Sequence, residues 1–213
     1  MAENVVIVNA CLRGKNISRT FELGNFFVKK YMGGKKDAVL KEYLLSDMDL
    51  KPFSKEMVEE RDKEVSEGKE DKLIKLAEEF SKADTVIVMA PYWDMSFPSA
   101  LKIFFEHISV CGVTFKYEKD GTPKGLCKAN KAVYITTAGG YIGDFNYGYD
   151  YTKGLFNFLG IDDVYFLSAE GLDIIGNNTD EILSNAKKEA EILSEKFWKI
   201  NLKRRRLSGV NIN

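Results

Sequence analysis

Short apolar runs alternate along this chain with longer stretches in which apolar residues recur every three or four positions. Val5-Val6-Ile7-Val8 and Thr85-Val86-Ile87-Val88-Met89 are nearly continuous apolar runs, the pattern of strands buried on both faces. Ala38–Leu45, Lys131–Thr137 and Val164–Leu167 supply three more strands. Between them lie helical patterns. Phe21, Leu23, Phe26, Phe27 and Tyr31 define an amphipathic segment that Gly33-Gly34 stops. Residues 54–83 predict a helix, a break near Gly68 and a second helix, with Met57, Leu73, Leu76, Ala77 and Phe80 as the apolar positions. Pro98 suits the first turn of a helix carrying Leu101, Phe104, Phe105 and Ile108, which Gly112 ends. Residues 113–128 read as a turn-rich excursion. A helix over Thr152–Leu159 and a last one over Thr179–Ile200 follow, the latter with Thr179 as cap and Asp180 and Glu181 in its first turn.

Five buried-type strands alternating with helices predict an α/β fold: one doubly wound, five-stranded parallel sheet with helices on both faces. At 213 residues one domain over residues 1–202 is expected, with 203–213 as a basic, flexible tail. Four of the 31 basic residues, Lys203 to Arg206, sit in that tail and none of the 32 acidic ones does, so the domain itself is net acidic. A formal charge of −1 argues against a nucleic-acid binder. Cys11, Cys111 and Cys127 form no CxxC pair, which predicts a reducing, cytoplasmic setting. With one histidine in the chain, no metal site is expected. No signal peptide or membrane span is expected either.

Doubly wound sheets bind ligands beyond the carboxyl ends of their strands, where the strand order reverses. The loops to search there are residues 9–20, 91–98 and 137–150. The first enters a helix N-terminus, with Ser18, Arg19 and Thr20 at the entry and Arg13 and Lys15 before it. It reads either as a phosphate site or as a capped helix after a polar loop. It lacks both the GK[ST] of a P-loop and a GxGxxG. The second, Pro91-Tyr92-Trp93-Asp94-Met95-Ser96-Phe97-Pro98, is either a wall for a flat ring or an apolar cover over the sheet end. The third holds Thr137-Ala138-Gly139-Gly140, where paired glycines let a backbone approach a ligand.

The ordered series from Pro91 to Lys102, then Gly112-Val113-Thr114-Phe115-Lys116-Tyr117, Gly125-Leu126, Thr137 to Gly140, Phe156 to Ile161 and Ala169-Glu170-Gly171 resembles the FMN-dependent NADH:quinone reductases and azoreductases. The likeness runs from about Val5 to Trp198. It implies a flavodoxin-like fold of strand order 2-1-3-4-5, with FMN as cofactor and NADH or NADPH as electron donor. Hydride would pass by way of the flavin to quinone, azo or nitro acceptors in a ping-pong cycle, within a homodimer. It also implies roles. Ser18, Arg19 and Thr20 match the phosphate-binding stretch. Pro91, Tyr92, Trp93 and Asp94 match the ring-contacting loop, and Thr137, Ala138, Gly139 and Gly140 the pyrimidine-contacting loop. Tyr117 matches an aromatic on the substrate side of the flavin. Three positions depart from the family pattern: Asp94 stands where Asn is usual, Cys11 replaces a Ser, and Ala138 replaces a larger residue. An anionic Asp94 beside the ring would lower its potential.

Two other readings compete. A flavodoxin-like electron carrier or flavin-binding regulator would share the fold without nicotinamide turnover. A low-molecular-weight tyrosine phosphatase would use Cys11, but where its loop needs an Arg this chain has Ile17. His107 falls on the core-spaced helix and reads as a packed residue.

Overall fold

The computed structural model describes residues 2–207 apart from 34, 36 and 69–71, with the side chains of all of these except 72 and 198–207. Five strands form one parallel sheet: β1 (Asn4–Asn9), β2 (Val39–Leu44), β3 (Thr85–Met89), β6 (Lys131–Thr137) and β7 (Asp163–Ala169). Their order is β2-β1-β3-β6-β7, the doubly wound order expected. Val5 pairs with Leu40 on one side and Thr85 on the other, and Tyr134 pairs with Val88 and Phe166.

Alternation along β1 splits the core in two. Val6 and Val8 pack on one face with Phe80 of α3 (Lys72–Ser81), Leu101 and Phe104 of α4 (Ser99–Ile108) and Phe156 of α5 (Tyr147–Phe158). Val5 and Ile7 pack on the other with Leu23 and Phe27 of α1 (Arg19–Met32) and Ala190 and Phe197 of α6 (Thr179–Leu207). This is the period-2 logic of a sheet covered by helices on both sides. β2 is an edge strand, which explains why Val39 and Leu40 stay exposed.

Helix ends follow local chemistry. Ser18 caps α1, its Oγ accepting from the Phe21 N–H at 3.1 Å. Gly33 closes α1, and Gly34 lies outside the described residues. Gly68, at φ 64°, ends α2 (Lys55–Glu67) in the left-handed region that glycine adopts without penalty. Several elements depart from expectation. Pro98 sits just ahead of α4 at its cap position. The next helix, α5, starts at Tyr147 rather than Thr152, because Asn146 caps it and the aromatic run 145–151 masks any period. The excursion 113–128 contains a short antiparallel ribbon, β4 (Phe115–Tyr117) with β5 (Pro123–Gly125). The final helix runs past Ile200 to Leu207, because good helix formers continue and no glycine intervenes before Gly209. The remainder of the basic segment, 208–213, lies outside the described residues.

Below the sheet, at its N-terminal edge, Glu3 is buried in a polar cluster. Tyr31 Oη donates to its Oε1 at 2.6 Å, Thr85 Oγ1 donates at 2.8 Å, and Lys35 forms an ion pair with Oε2. Burial pushes this carboxyl up, but the Lys35 and Tyr31 hydrogen bonds, the lysine charge and Thr85 outweigh it and hold it at about 2. No described helix is long and apolar enough to cross a membrane.

Candidate functional site

The chain turns from β1 to β2 in one direction and reaches β3 in the other, so the crevice lies above the carboxyl ends of β1, β3 and β6. A cleft of about 240 Å³ opens there. It brings together Ser18, Arg19, Thr20, Pro91, Tyr92, Trp93, Thr137, Ala138 and Gly139. These residues come from all three of the loops picked out by the sequence.

At one end stands the N-terminus of α1. Its first-turn N–H groups at Arg19 and Thr20 donate to no acceptor among the described residues. Donors of this kind, at the positive end of a helix dipole, form an anion site. Arg13 lines this end and makes no ion pair among the described residues. The other two candidate side chains here are already engaged. Thr20 Oγ1 lies 2.6 Å from Thr137 Oγ1, both buried, and ties the α1 entry to the end of β6. Arg19 donates from Nη2 to Asp173 Oδ1 at 2.7 Å and from Nη1 to Leu172 O at 3.2 Å. Its guanidinium is thus turned to the loop after β7, and what Arg19 offers an anion is its main-chain N–H.

Tyr92 and Trp93 form the wall. Tyr92 N–H donates to Thr137 O at 3.1 Å and its Oη to Phe145 O at 3.0 Å, which fixes the 91–98 loop against β6 and the segment before α5. Trp93 and Ser96 exchange main-chain hydrogen bonds at 3.2 and 2.7 Å around a two-residue tip. Both tip residues, Asp94 (φ 50°) and Met95 (φ 62°), have positive φ. Such a turn normally takes Asn or Gly at these places, so this loop holds non-glycine side chains in a costly conformation, as functional loops do. Asp94 is exposed at that tip and is not among the residues lining the cleft.

The third side is the 138–140 segment. Ala138 N–H is taken by Ala169 O at 2.9 Å. The N–H groups of Gly139 and Gly140 donate to nothing among the described residues. The loop after β7 backs this segment: Gly171, Leu172 and Asp173 donate their N–H groups to the carbonyls of Gly140, Ala138 and Gly139. Glu170 accepts from the Ile142 N–H at 2.9 Å and holds the loop beyond. Gly140 is exposed at the rim.

Asp173 lines the cleft but escapes a search confined to the loops after strands one, three and four. The available signal was position: the loop after strand five opens on the same edge of the sheet. Tyr117 is not among the lining residues. Its ribbon is rooted at the opposite edge, where Cys127 N–H bonds Leu159 O, Lys128 N–H bonds Ser81 O, and Gly125 lies against the Gly160 backbone. Cys11 is buried, and burial pushes its thiol up to about 11. That removes the thiolate a phosphatase would need. His107 is buried, stacked on Phe53 at 4.3 Å, with Nε2 at 2.9 Å from Lys51 O.

A family model described as flavodoxin-like fold matches residues 3–193. An FMN-dependent NADH:quinone oxidoreductase of Coprothermobacter proteolyticus is 34% identical, over 91% of this chain and 98% of its own length. FMN-dependent NADH:quinone oxidoreductase 2 of Clostridium acetobutylicum is 31% identical over the same shares. Among solved structures, an FMN-dependent NADH-azoreductase from Bacillus anthracis in complex with FMN superposes with a TM-score of 0.80 at 24% identity, covering 92% of this chain and 99% of that one. At that identity the superposition speaks for the fold.

Proposed function

The chain belongs to the flavodoxin-like fold family, and on that premise we propose that it is an FMN-dependent oxidoreductase passing hydride from NADH to quinones or aromatic azo compounds. The observation that carries this reading is a convergence in one cleft. N–H groups at the α1 entry, an aromatic wall at Tyr92 and Trp93, and the N–H of Gly139 border the same crevice, with Gly140 exposed at its rim, and these N–H groups meet no acceptor among the described residues. Those are the requirements of a phosphate, a flat ring and the carbonyl edge of that ring. NADH is the donor named for the relatives.

The residues present fit a flavin mononucleotide. When bound, that group accepts hydride from a nicotinamide and gives it to an oxidised acceptor. The chain binds and orients. Main-chain donors at Arg19 and Thr20, the Ser18 hydroxyl and the Arg13 charge would hold the phosphate. Pro91, Tyr92 and Trp93 would pack against the ring. Gly139 and Gly140 would present fixed N–H dipoles to its pyrimidine edge, where they would stabilise negative charge without reorganising. If donor and acceptor use the same face of the bound ring, they take turns, which gives ping-pong kinetics.

A homodimer and a cytoplasmic setting complete the reading. Tyr117 is rooted at the sheet edge opposite its own cleft, so it lines a flavin only when a second copy supplies it. Tyr117, Tyr141, Phe145 and Tyr147 are all more than half exposed, an aromatic surface of the kind that associating proteins carry.

The test is a visible spectrum of the purified protein with added FMN, repeated after anaerobic NADH and again after a quinone. The reading predicts a flavin band that NADH bleaches and the quinone restores. A band that NADH leaves intact would assign the chain to electron carriers or regulators. Absence of a flavin band would remove the cofactor altogether.

A further inference from the structure

We propose that Arg19 and Asp173 work as one unit: Asp173 is the acidic group that sets how readily the bound flavin accepts electrons, and Arg19 is the positioning residue that holds and offsets it. The proposal rests on the flavin reading above and deepens it. It takes the Arg19 guanidinium away from the phosphate role that its place in the sequence suggests.

Both residues line the cleft. The guanidinium spends one arm on the Asp173 carboxylate at 2.7 Å and the other on the Leu172 carbonyl at 3.2 Å. Asp173 is fixed from the main chain as well, because its N–H donates to Gly139 O at 2.9 Å. Its other carboxylate oxygen lies so close over Gly139 that a Cβ there would meet it at 2.3 Å. The negative charge is therefore built against the backbone whose N–H groups, at Gly139 and Gly140, meet no acceptor among the described residues and would face the pyrimidine edge. Two-electron reduction of a flavin places negative charge on that edge, and a carboxylate beside it opposes the change. Arg19 offsets part of that opposition. The pair is partly exposed, with side-chain exposures of 33% and 64%, so its effect is moderate and weakens as salt rises. Arg13, lining the α1 end of the cleft with no ion pair among the described residues, is left as the cation for the phosphate.

Riboflavin, which lacks the phosphate, separates the two roles of Arg19. Binding of FMN and of riboflavin is measured by flavin fluorescence, and the midpoint potential of the FMN-loaded protein by dye equilibration. The variants are Arg19→Met, Arg19→Lys, Asp173→Asn and the double Arg19→Met/Asp173→Asn. Arg19→Met is expected to weaken FMN and riboflavin by the same factor, about three- to tenfold, and to move the potential negative. Asp173→Asn moves it positive, the double variant follows Asp173→Asn, and Arg19→Lys restores most of the wild-type value. A loss confined to FMN, with riboflavin spared, would overturn the proposal and return Arg19 to the phosphate. Equal potentials in all five proteins would also overturn it. If the wild-type protein binds neither flavin, the cofactor reading itself fails, and the proposal with it.

Discussion

The hydroxyl pair between Thr20 and Thr137 joins the α1 entry to the end of β6, and replacing each by valine tests it. The two oxygens are 2.6 Å apart, with residue exposures of 1% and 8%. Neither hydroxyl has another side-chain or main-chain partner among the described residues. Thr20→Val or Thr137→Val alone leaves the surviving hydroxyl buried and unpaired, at a cost of about 1–3 kcal/mol. The double variant replaces the pair by an apolar contact of the same shape, which is close to neutral. The double should thus be more stable than the sum of the singles implies, with a coupling of about 2–3 kcal/mol. Urea unfolding of the four proteins reads this directly, provided their denaturant slopes agree. The same four should rank alike in FMN affinity, since the pair links the α1 entry to the end of β6, the two parts of the cleft proposed to hold the phosphate and the ring edge. Single-variant costs that add to the double within about 0.5 kcal/mol would refute the reasoning, because independent hydroxyls would then be solvated or paired elsewhere.

Two more outcomes follow from local chemistry. Glu3 is held at about 2 against an ordinary 4.5. A depressed carboxyl adds stability that is fully present above the unfolded value and is lost as pH falls toward the folded one, here between about 4.5 and 2 and worth roughly 3 kcal/mol. Glu3→Gln should lower stability at neutral pH and flatten the urea-midpoint profile across that acid window; an unchanged profile would exclude Glu3 as the source. At the tip of the 91–98 loop, Met95→Gly removes a side chain from a left-handed backbone position. Melting should rise by about 2–4 °C for ~1 kcal/mol gained, while FMN binds more weakly because the loop loses rigidity. A lower melting temperature would show that the Met95 side chain contributes more than its backbone costs.

Much of the site was legible along the chain because its framework is local. Ser18 is a cap residue ahead of an amphipathic helix, and it caps α1. Pro91 and the paired glycines follow buried strands, and those positions open on the crevice of any doubly wound sheet. The roles of individual side chains were less legible. Arg19 beside Ser18 suggests a second phosphate donor, yet its guanidinium is drawn to a carboxylate 154 positions later. Asp94 is the acid next to the aromatic wall in sequence, yet it sits exposed at a turn tip, and the acid lining the cleft is Asp173. Tyr117 follows a family pattern, but its ribbon is rooted at the other edge of the sheet.

Periodicity and capping act over a few residues, so the five sheet strands, the main helices and their alternation could be read along the chain, while the short β4–β5 ribbon could not. Given alternation, the right-handed crossover leaves few sheets to choose from. Only the tertiary structure decided which donors stay free and which charges meet. Strand order brings the loops after β6 and β7 together, so Gly171, Leu172 and Asp173 hydrogen-bond the 138–140 carbonyls. That apposition places Asp173 over Gly139 and within reach of Arg19. No spacing along the chain encodes it, because the contact depends on the packing of two loops whose residues are distant in sequence.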